Sequence, residues 1–152
     1  MALTLLDTSA VVAYVDSSDA FHRDAVEQIE ACVRRGTGLA LSVVSWTELL
    51  HGAFRGHRAD AIVRDFVDDF GVRLLSVDPI AAEWAAVLQA RHAASGTVSA
   101  PRKLRTPDAL ILASAEVASG VDRVAGADAS WATVTGLSVE VVLLVARLPD
   151  GQ

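Results

Sequence analysis

With 152 residues, 52% of them hydrophobic, the chain has the size of one ordinary domain and can bury roughly two thirds of its unfolded surface without help. Its 13 basic and 19 acidic residues leave a net charge of −6, which disfavours a protein that holds nucleic acid by bulk electrostatics. The single cysteine, Cys32, excludes an intrachain disulfide and a zinc site built on several cysteines.

The mean hydropathy of +0.38 is high, yet charged residues interrupt every apolar run before the roughly 18 residues of a membrane span. Met1 to Val15 lacks a basic flank and carries Asp7 within its apolar stretch, which argues against a secretory signal. The expectation is one domain over residues 1–152, soluble, cytoplasmic, and hiding some apolar surface against a partner.

Leu3-Thr4-Leu5-Leu6 predicts a strand that ends at Asp7, with Thr8 or Ser9 capping a helix through Val15. Asp19 or an earlier serine opens a second helix with Val26, Ile29 and Val33 at helical spacing, and Gly36-Thr37-Gly38 ends it. Leu39 to Val44 reads as a second strand. Ser45 with Glu48 three residues later has the capping-box pattern, which places Glu48 in a first helical turn. Ile62, Val63, Phe66, Val67 and Phe70 form an amphipathic stripe closed by Gly71, and Val72 to Val77 follows as a strand.

Asp78-Pro79 starts a helix expected to bury Ile80, Trp84, Val87 and Leu88. Ala94 to Arg105 reads as a flexible loop carrying Arg102, Lys103 and Arg105, the densest basic cluster of the chain. Thr106-Pro107-Asp108 restarts a helix that is apolar nearly all round. Val121 to Gly126 leads to Asp128, and Val139 to Val145 supplies a last strand. Strands separated by helices of this length imply parallel pairing with helices on both faces of the sheet.

Four acids, Asp7, Glu48, Asp108 and Asp128, stand where strands give way to helices or loops. Taken singly, the first three are accounted for as acids at helix starts, stabilised by about 0.3–1 kcal/mol, and Asp128 as a turn residue. Together they fit better as one site. Capping does not require acids at the ends of several strands, whereas a hard dication requires oxygen ligands gathered at one small cavity, and the carboxyl ends of an open parallel sheet provide it. The four histidines, His22, His51, His57 and His92, lack metal-ligand spacing. Arg102, Lys103 and Arg105, with Arg55 and Arg58, are candidates for holding phosphates, set against the plainer reading of solvated surface charge.

Leu5-Leu6-Asp7-Thr8-Ser9, the helix-borne Glu48, Pro107-Asp108-Ala109-Leu110-Ile111 with Ala113 following, and the late Asp128 with Trp131 together resemble PIN-domain ribonucleases. The span from Leu3 to about Val145 is similar to the VapC toxins of toxin–antitoxin pairs. The resemblance implies a three-layer α/β/α sandwich around a mainly parallel sheet. It further implies an endoribonuclease dependent on Mg2+, with Mn2+ as an alternative, that forms a homodimer and is silenced by a small antitoxin whose tail covers the acidic groove. On this resemblance Asp7 and Asp108 match the principal metal ligands, Glu48 the helix-borne acid, Asp128 the fourth acid, and Ser9 a polar position that supports the first aspartate. One departure stands out: the family often has Thr or Ser two residues before the last acid, where this chain has Gly126.

Other functions fit less well. A phosphatase using Asp7 as a phosphorylated nucleophile needs a second aspartate where Ser9 stands, and no Gly-x-Gly-x-x-Gly follows the first strand for a dinucleotide. A catalytically silent RNA-binding or protein-interaction module is the remaining alternative, and four intact acids in a net-acidic chain argue against it.

Overall fold

The computed structural model describes residues 1–147. Five strands, β1 (Leu3–Leu6), β2 (Gly38–Ser42), β3 (Arg73–Leu75), β4 (Val121–Gly126) and β5 (Glu140–Leu143), form one sheet in the order β3-β2-β1-β4-β5, every neighbouring pair parallel. Between them run α1 (Thr8–Val15), α2 (His22–Arg34), α3 (Val43–Phe54), α4 (Asp60–Asp69), α5 (Pro79–Ala94) and α6 (Thr106–Val117), and a short 3-10 helix over Ala129–Thr133 precedes β5. From central β1 the chain steps outward to β2 and β3, then returns to β4 on the other side of β1. This reversal opens a crevice at the carboxyl ends of β1 and β4, the place where open α/β sheets bind ligands.

Alternation along the strands creates two cores. Leu5, Ala40 and Val124 point to a core shared with Leu88 of α5 and Ile111 and Leu112 of α6. Their neighbours Leu6, Leu39, Leu41 and Ala125 point to the opposite core, shared with Val11, Ile29, Leu49, Val63 and Phe66 of the first four helices. A strand's period of two thus feeds both faces of the sheet, and the expected three-layer sandwich is what results. Among the described residues no helix is long and apolar enough to cross a membrane.

Several local expectations change. The second strand stops at Ser42, whose hydroxyl accepts a hydrogen bond from Val44 N at 3.2 Å and caps α3. Val43 and Val44 read as strand by propensity, but they form the first turn of the helix, a tertiary override of a weak local preference. Ser45 is consequently buried inside α3 rather than capping it, and Glu48 lies one turn deeper in the helix than a capping box requires. Asp7 itself, not Thr8 or Ser9, caps α1.

Helix α5 is rotated relative to expectation. It buries Ala81, Ala85, Leu88 and His92, while Ile80 is 66% and Val87 36% exposed. Small alanines allow α5 to lie close along α6, an advantage that a stripe of large residues forgoes. The Phe66–Phe70 stripe on α4 faces inward: Tyr14, Phe66 and Phe70 pack as a cluster with ring centroids 5.1–5.4 Å apart.

Asp24 is a buried charge that hydrophobic patterning does not reveal. Its side chain, 4% exposed, accepts from Arg147 Nη2 and from Val145 N, each at 3.0 Å, and Arg147 also reaches Glu27 at 2.8 Å. These bonds hold the segment after β5 against α2. Asp24→Ala is expected to lower unfolding stability by about 1–2 kcal/mol, because the charge-assisted bonds from Arg147 and from the partly buried Val145 amide are lost. Urea denaturation checks this, and an unchanged midpoint would show the segment to be held by apolar contact alone.

Candidate active site

The crevice at the ends of β1 and β4 is an open cleft of about 340 Å³ whose lining includes Asp7, Thr8, Ser9, Glu48, Arg105 and Asp108. Asp7 follows β1 directly, and its backbone N–H donates to Ala125 O of β4 at 2.8 Å, so the carboxylate stands at the strand junction. It is 8% exposed. Its Oδ2 accepts from Ser9 Oγ at 2.6 Å, and from Ser9 N at 3.4 Å. Burial pushes the Asp7 carboxyl above the usual aspartate value of 3.8; hydrogen bonds from Ser9 and Thr8 oppose the rise, and the charge of Glu48 adds to it.

Glu48 reaches the cleft from the second turn of α3, where Thr8 Oγ1 donates to its Oε2 in a short hydrogen bond. Asp108 comes from the first turn of α6. Its side chain is 13% exposed and accepts from Arg105 Nε at 2.9 Å. The guanidinium of Arg105 is held more firmly protonated by its hydrogen bond and charge pairing with Asp108, with smaller contributions from Asp128 and Glu48. One arginine therefore senses three of the four acids. Asp128 caps the 3-10 helix, accepting from Ser130 N at 2.9 Å, and stands outside the cleft lining.

Ser9 joins the two sides of the crevice. Besides donating to Asp7, its hydroxyl accepts from Ala127 N at 3.0 Å. Gly126 makes room for this arrangement: a Cβ there would stand 3.0 Å from Asp7 Cβ and 3.5 Å from Ser9 Oγ. The glycine that departs from the family pattern is thus the residue against which Asp7 and Ser9 close.

Among the described residues, no three Asp, Glu, His or Cys side chains are gathered tightly enough to form a finished metal cage. Each acid instead has a protein donor: Ser9 for Asp7, Thr8 for Glu48, Arg105 for Asp108 and the Ser130 amide for Asp128. The donor set nevertheless fits a hard dication. Carboxylate and hydroxyl oxygens converge from β1, α1, α3 and α6, without sulfur or imidazole, and the buried Asp7 is a carboxylate whose ionisation a nearby cation would favour.

The basic residues divide. Arg105 lines the cleft, whereas Arg102 and Lys103 are exposed outside its lining. The loop carrying them is anchored at its end, since Leu104 is 6% exposed in the α5–α6 core and its carbonyl accepts from Gln89 Nε2 at 3.0 Å. Arg58 donates to Leu49 O near the end of α3. Trp131 is 1% exposed, a core residue and not a groove wall. Thr8, Val12, Asp19 and Phe21 also line the cleft. Proximity to Asp7 was the available signal for Thr8; the other three depend on how the α1–α2 connection folds back.

Parallel strands in this order, with acids from β1, α3 and α6 at the switch point, define a doubly wound α/β domain with an acidic crevice. The chain belongs to the PIN domain family, whose sequence pattern matches residues 4–134. No curated protein matches it. Among solved structures it is similar to the VapBC2 complex of Rickettsia felis bound to a promoter DNA fragment, with a TM-score of 0.73 and 11% identity over 94% of this chain and 99% of the other. It is also similar to VapBC-5 of Mycobacterium tuberculosis, a VapBC-family toxin–antitoxin system, with a TM-score of 0.60 and 26% identity over 95% and 100% of the two chains. VapC20 of the same organism, a sarcin-ricin-loop-cleaving toxin, aligns with a TM-score of 0.64 and 20% identity over 90% and 98%. The fold is that of VapC-type PIN domains.

Proposed function

We propose that the chain is a Mg2+-dependent endoribonuclease, the toxin of a toxin–antitoxin pair. The observation that carries this reading is the convergence of Asp7, Glu48 and Asp108 from three elements on one cleft, with Asp128 close enough to act on the same arginine. Asp7 and Asp108 are the residues suited to hold the cation, Glu48 and Asp128 to complete the set through water. A bound magnesium or manganese ion supplies an activated water and stabilises charge on the phosphoryl oxygens. Ser9 fixes the orientation of Asp7, and Thr8 that of Glu48.

Arg105 has a double part in this reading. Paired with Asp108, it offsets the negative charge of the cleft; released, it holds a phosphate in the planar, bidentate manner of guanidinium groups. Arg102 and Lys103 extend that basic edge along the flanking strand of RNA. Arg105→Ala is expected to lower the concentration of Mn2+ that half-saturates the thermal upshift by about tenfold, since a unit charge a few ångströms from the ion is removed, and to weaken RNA binding. Melting curves across a Mn2+ titration give the first value; an unchanged midpoint would remove Arg105 from the site.

The toxin assignment draws support from relatives named as VapBC toxin–antitoxin complexes, and the RNA assignment from one named for cleaving the sarcin-ricin loop. A small antitoxin is the expected partner, together with a second copy of the chain. Ile80 and Val87, exposed on α5 beside the half-buried Trp84, are suited to a homodimer contact. Induced expression, with and without the antitoxin encoded beside it, tests the reading: growth arrest with new RNA 5′ ends is expected only without the antitoxin. Arrest-free growth with unchanged RNA ends would overturn it.

A further inference from the structure

We infer that Phe21, with Val12 on the same cleft, forms a stacking subsite for one nucleobase of the RNA beside the acids. The inference rests on the nuclease reading above and adds to it the element that recognises substrate.

The cleft lining mixes two chemistries, and the Asp19 carboxylate, bonded to the Phe21 amide, borders the apolar part. Asp7, Glu48, Asp108 and Arg105 make the other part polar and charged, suited to a phosphodiester and its counter-ions. Val12 and Phe21 are apolar residues on the same cleft, and Phe21 is the one aromatic among its lining residues. Both side chains pack in part against the core of the first four helices and stay only partly buried, so each keeps some surface to offer. A phosphate held at the acids through a cation has a nucleoside on each side. An apolar ring on the same cleft is of use to a base and of little use to a phosphate or a solvated ion. Base stacking on aromatic side chains is how proteins read unpaired RNA, because every base has a π-face. A volume of about 340 Å³ lies at the small end of the roughly 300–1,000 Å³ range of ligand pockets, and it suits one nucleotide better than a duplex.

Phe21 is also held in place beforehand. Its backbone N–H donates to Asp19 Oδ1 at 2.8 Å, its carbonyl accepts from Ala25 N at 2.9 Å, and the adjacent His22 Nδ1 bonds Ala13 O at 2.7 Å. From the far side, Arg147 N donates to Ala20 O at 3.1 Å. A single connection between two helices is thereby fixed to α1, α2 and the segment after β5. Such preorganisation reduces the ordering cost of binding. Phe21 is on this account a specificity residue that acts through binding, with no part in moving protons or holding metal.

The experiment uses the full chain and a short single-stranded RNA carrying 2-aminopurine at successive positions around the cleavage site, with Ca2+ for binding and Mg2+ for cleavage. Phe21→Leu keeps apolar volume but loses the ring, Phe21→Trp keeps a ring, and circular dichroism melts confirm folding. The expected result is 2-aminopurine quenching at one position, lost in Phe21→Leu and kept in Phe21→Trp. KM and Kd should rise about tenfold in Phe21→Leu, within the roughly five- to hundredfold range of stacking losses, while kcat stays within about threefold. An abasic nucleotide at that position should weaken wild type and leave Phe21→Leu unaffected. Equal Kd and KM for wild type and a folded Phe21→Leu, or no position-specific quenching, would overturn the subsite even if cleavage proceeds. Position-specific quenching that depends on Phe21, without cleavage in Mg2+, would support the subsite and reject the nuclease reading; absence of RNA binding by wild type would reject both.

Discussion

Asp7→Asn and Asp108→Asn are each expected to reduce RNA cleavage about a thousandfold or more while leaving the fold intact. A metal-held water and the stabilisation of phosphoryl charge are together worth several kcal/mol, and each 1.36 kcal/mol is tenfold in rate. Asparagine keeps the size of aspartate and remains a good helix cap, so α1 should form normally. The two variants should nevertheless differ in stability. Asp7 is buried and its carboxyl pKa is raised mainly by that burial. A raised folded-state value means that Asp7 favours folding fully below its unfolded pKa, and that this advantage is lost as pH rises through the elevated value. At neutral pH the ionised side chain therefore costs stability that asparagine avoids. Without metal, Asp7→Asn should melt above wild type at pH 7. The gap should close as pH falls below the ordinary aspartate range. With saturating Mn2+ the order should reverse, since only wild type gains from the ion. Differential scanning calorimetry at several pH values, with and without Mn2+, decides. Wild type and Asp7→Asn melting together at every pH would mean that Asp7 is not strained by burial.

Gly126→Val is expected to reduce cleavage by about tenfold with all four acids in place. A Cβ at 126 falls 3.0 Å from Asp7 Cβ, tighter than ordinary carbon contact, with Asp7 Oδ2 at 3.4 Å and Ser9 Oγ at 3.5 Å just at contact, so Asp7 must shift by a few tenths of an ångström. A misplacement of about 1 Å in a group that positions a reaction can cost about 10²-fold, so a shift of a few tenths of an ångström is expected to cost about tenfold. Branching at Cβ widens the intrusion toward Ser9, whose hydroxyl bridges Asp7 Oδ2 and Ala127 N. Single-turnover cleavage rates, with circular dichroism as a check on folding, test this. Wild-type rates in Gly126→Val would show that the junction of β1 and β4 is tolerant and that Asp7's placement is set elsewhere.

These expectations show which parts of the molecule were legible in the amino-acid order. Apolar strands followed by a cap residue, as at Leu6-Asp7 and Gly126-Ala127-Asp128, are short-range patterns, and the β/α order and three-layer class follow from them. The convergence of Asp7, Glu48 and Asp108 on one cleft could be argued because a parallel sheet directs all its carboxyl ends to one side. What was not legible depends on contacts between distant segments. The start of α3 moved because Val43 and Val44 follow the packing around them instead of their β-propensity. The rotation of α5 is set by the close approach of α6, for which alanines suit better than Ile80 or Val87. Asp24 is paired with Arg147, 123 positions away, beyond the reach of any local pattern. Phe21 enters the cleft only because the α1–α2 connection folds over it. The Arg105–Asp108 pair, three residues apart at a helix start, lay within reach of sequence reasoning, which weighed Arg105 as a phosphate-holding residue or a solvated loop charge and not as the partner of Asp108.

The account depends on a dication held between carboxylates that lie far apart in the chain. Crystals of the full chain soaked in MnCl2 and measured at the manganese absorption edge test it most directly. An anomalous peak is expected in the cleft, with an oxygen of Asp7 or of Asp108 within about 2–2.5 Å and the other bound directly or hydrogen-bonded to a metal-held water, and Arg105 turned away from Asp108. An empty cleft at saturating manganese, with Arg105 still bonded to Asp108, would contradict it.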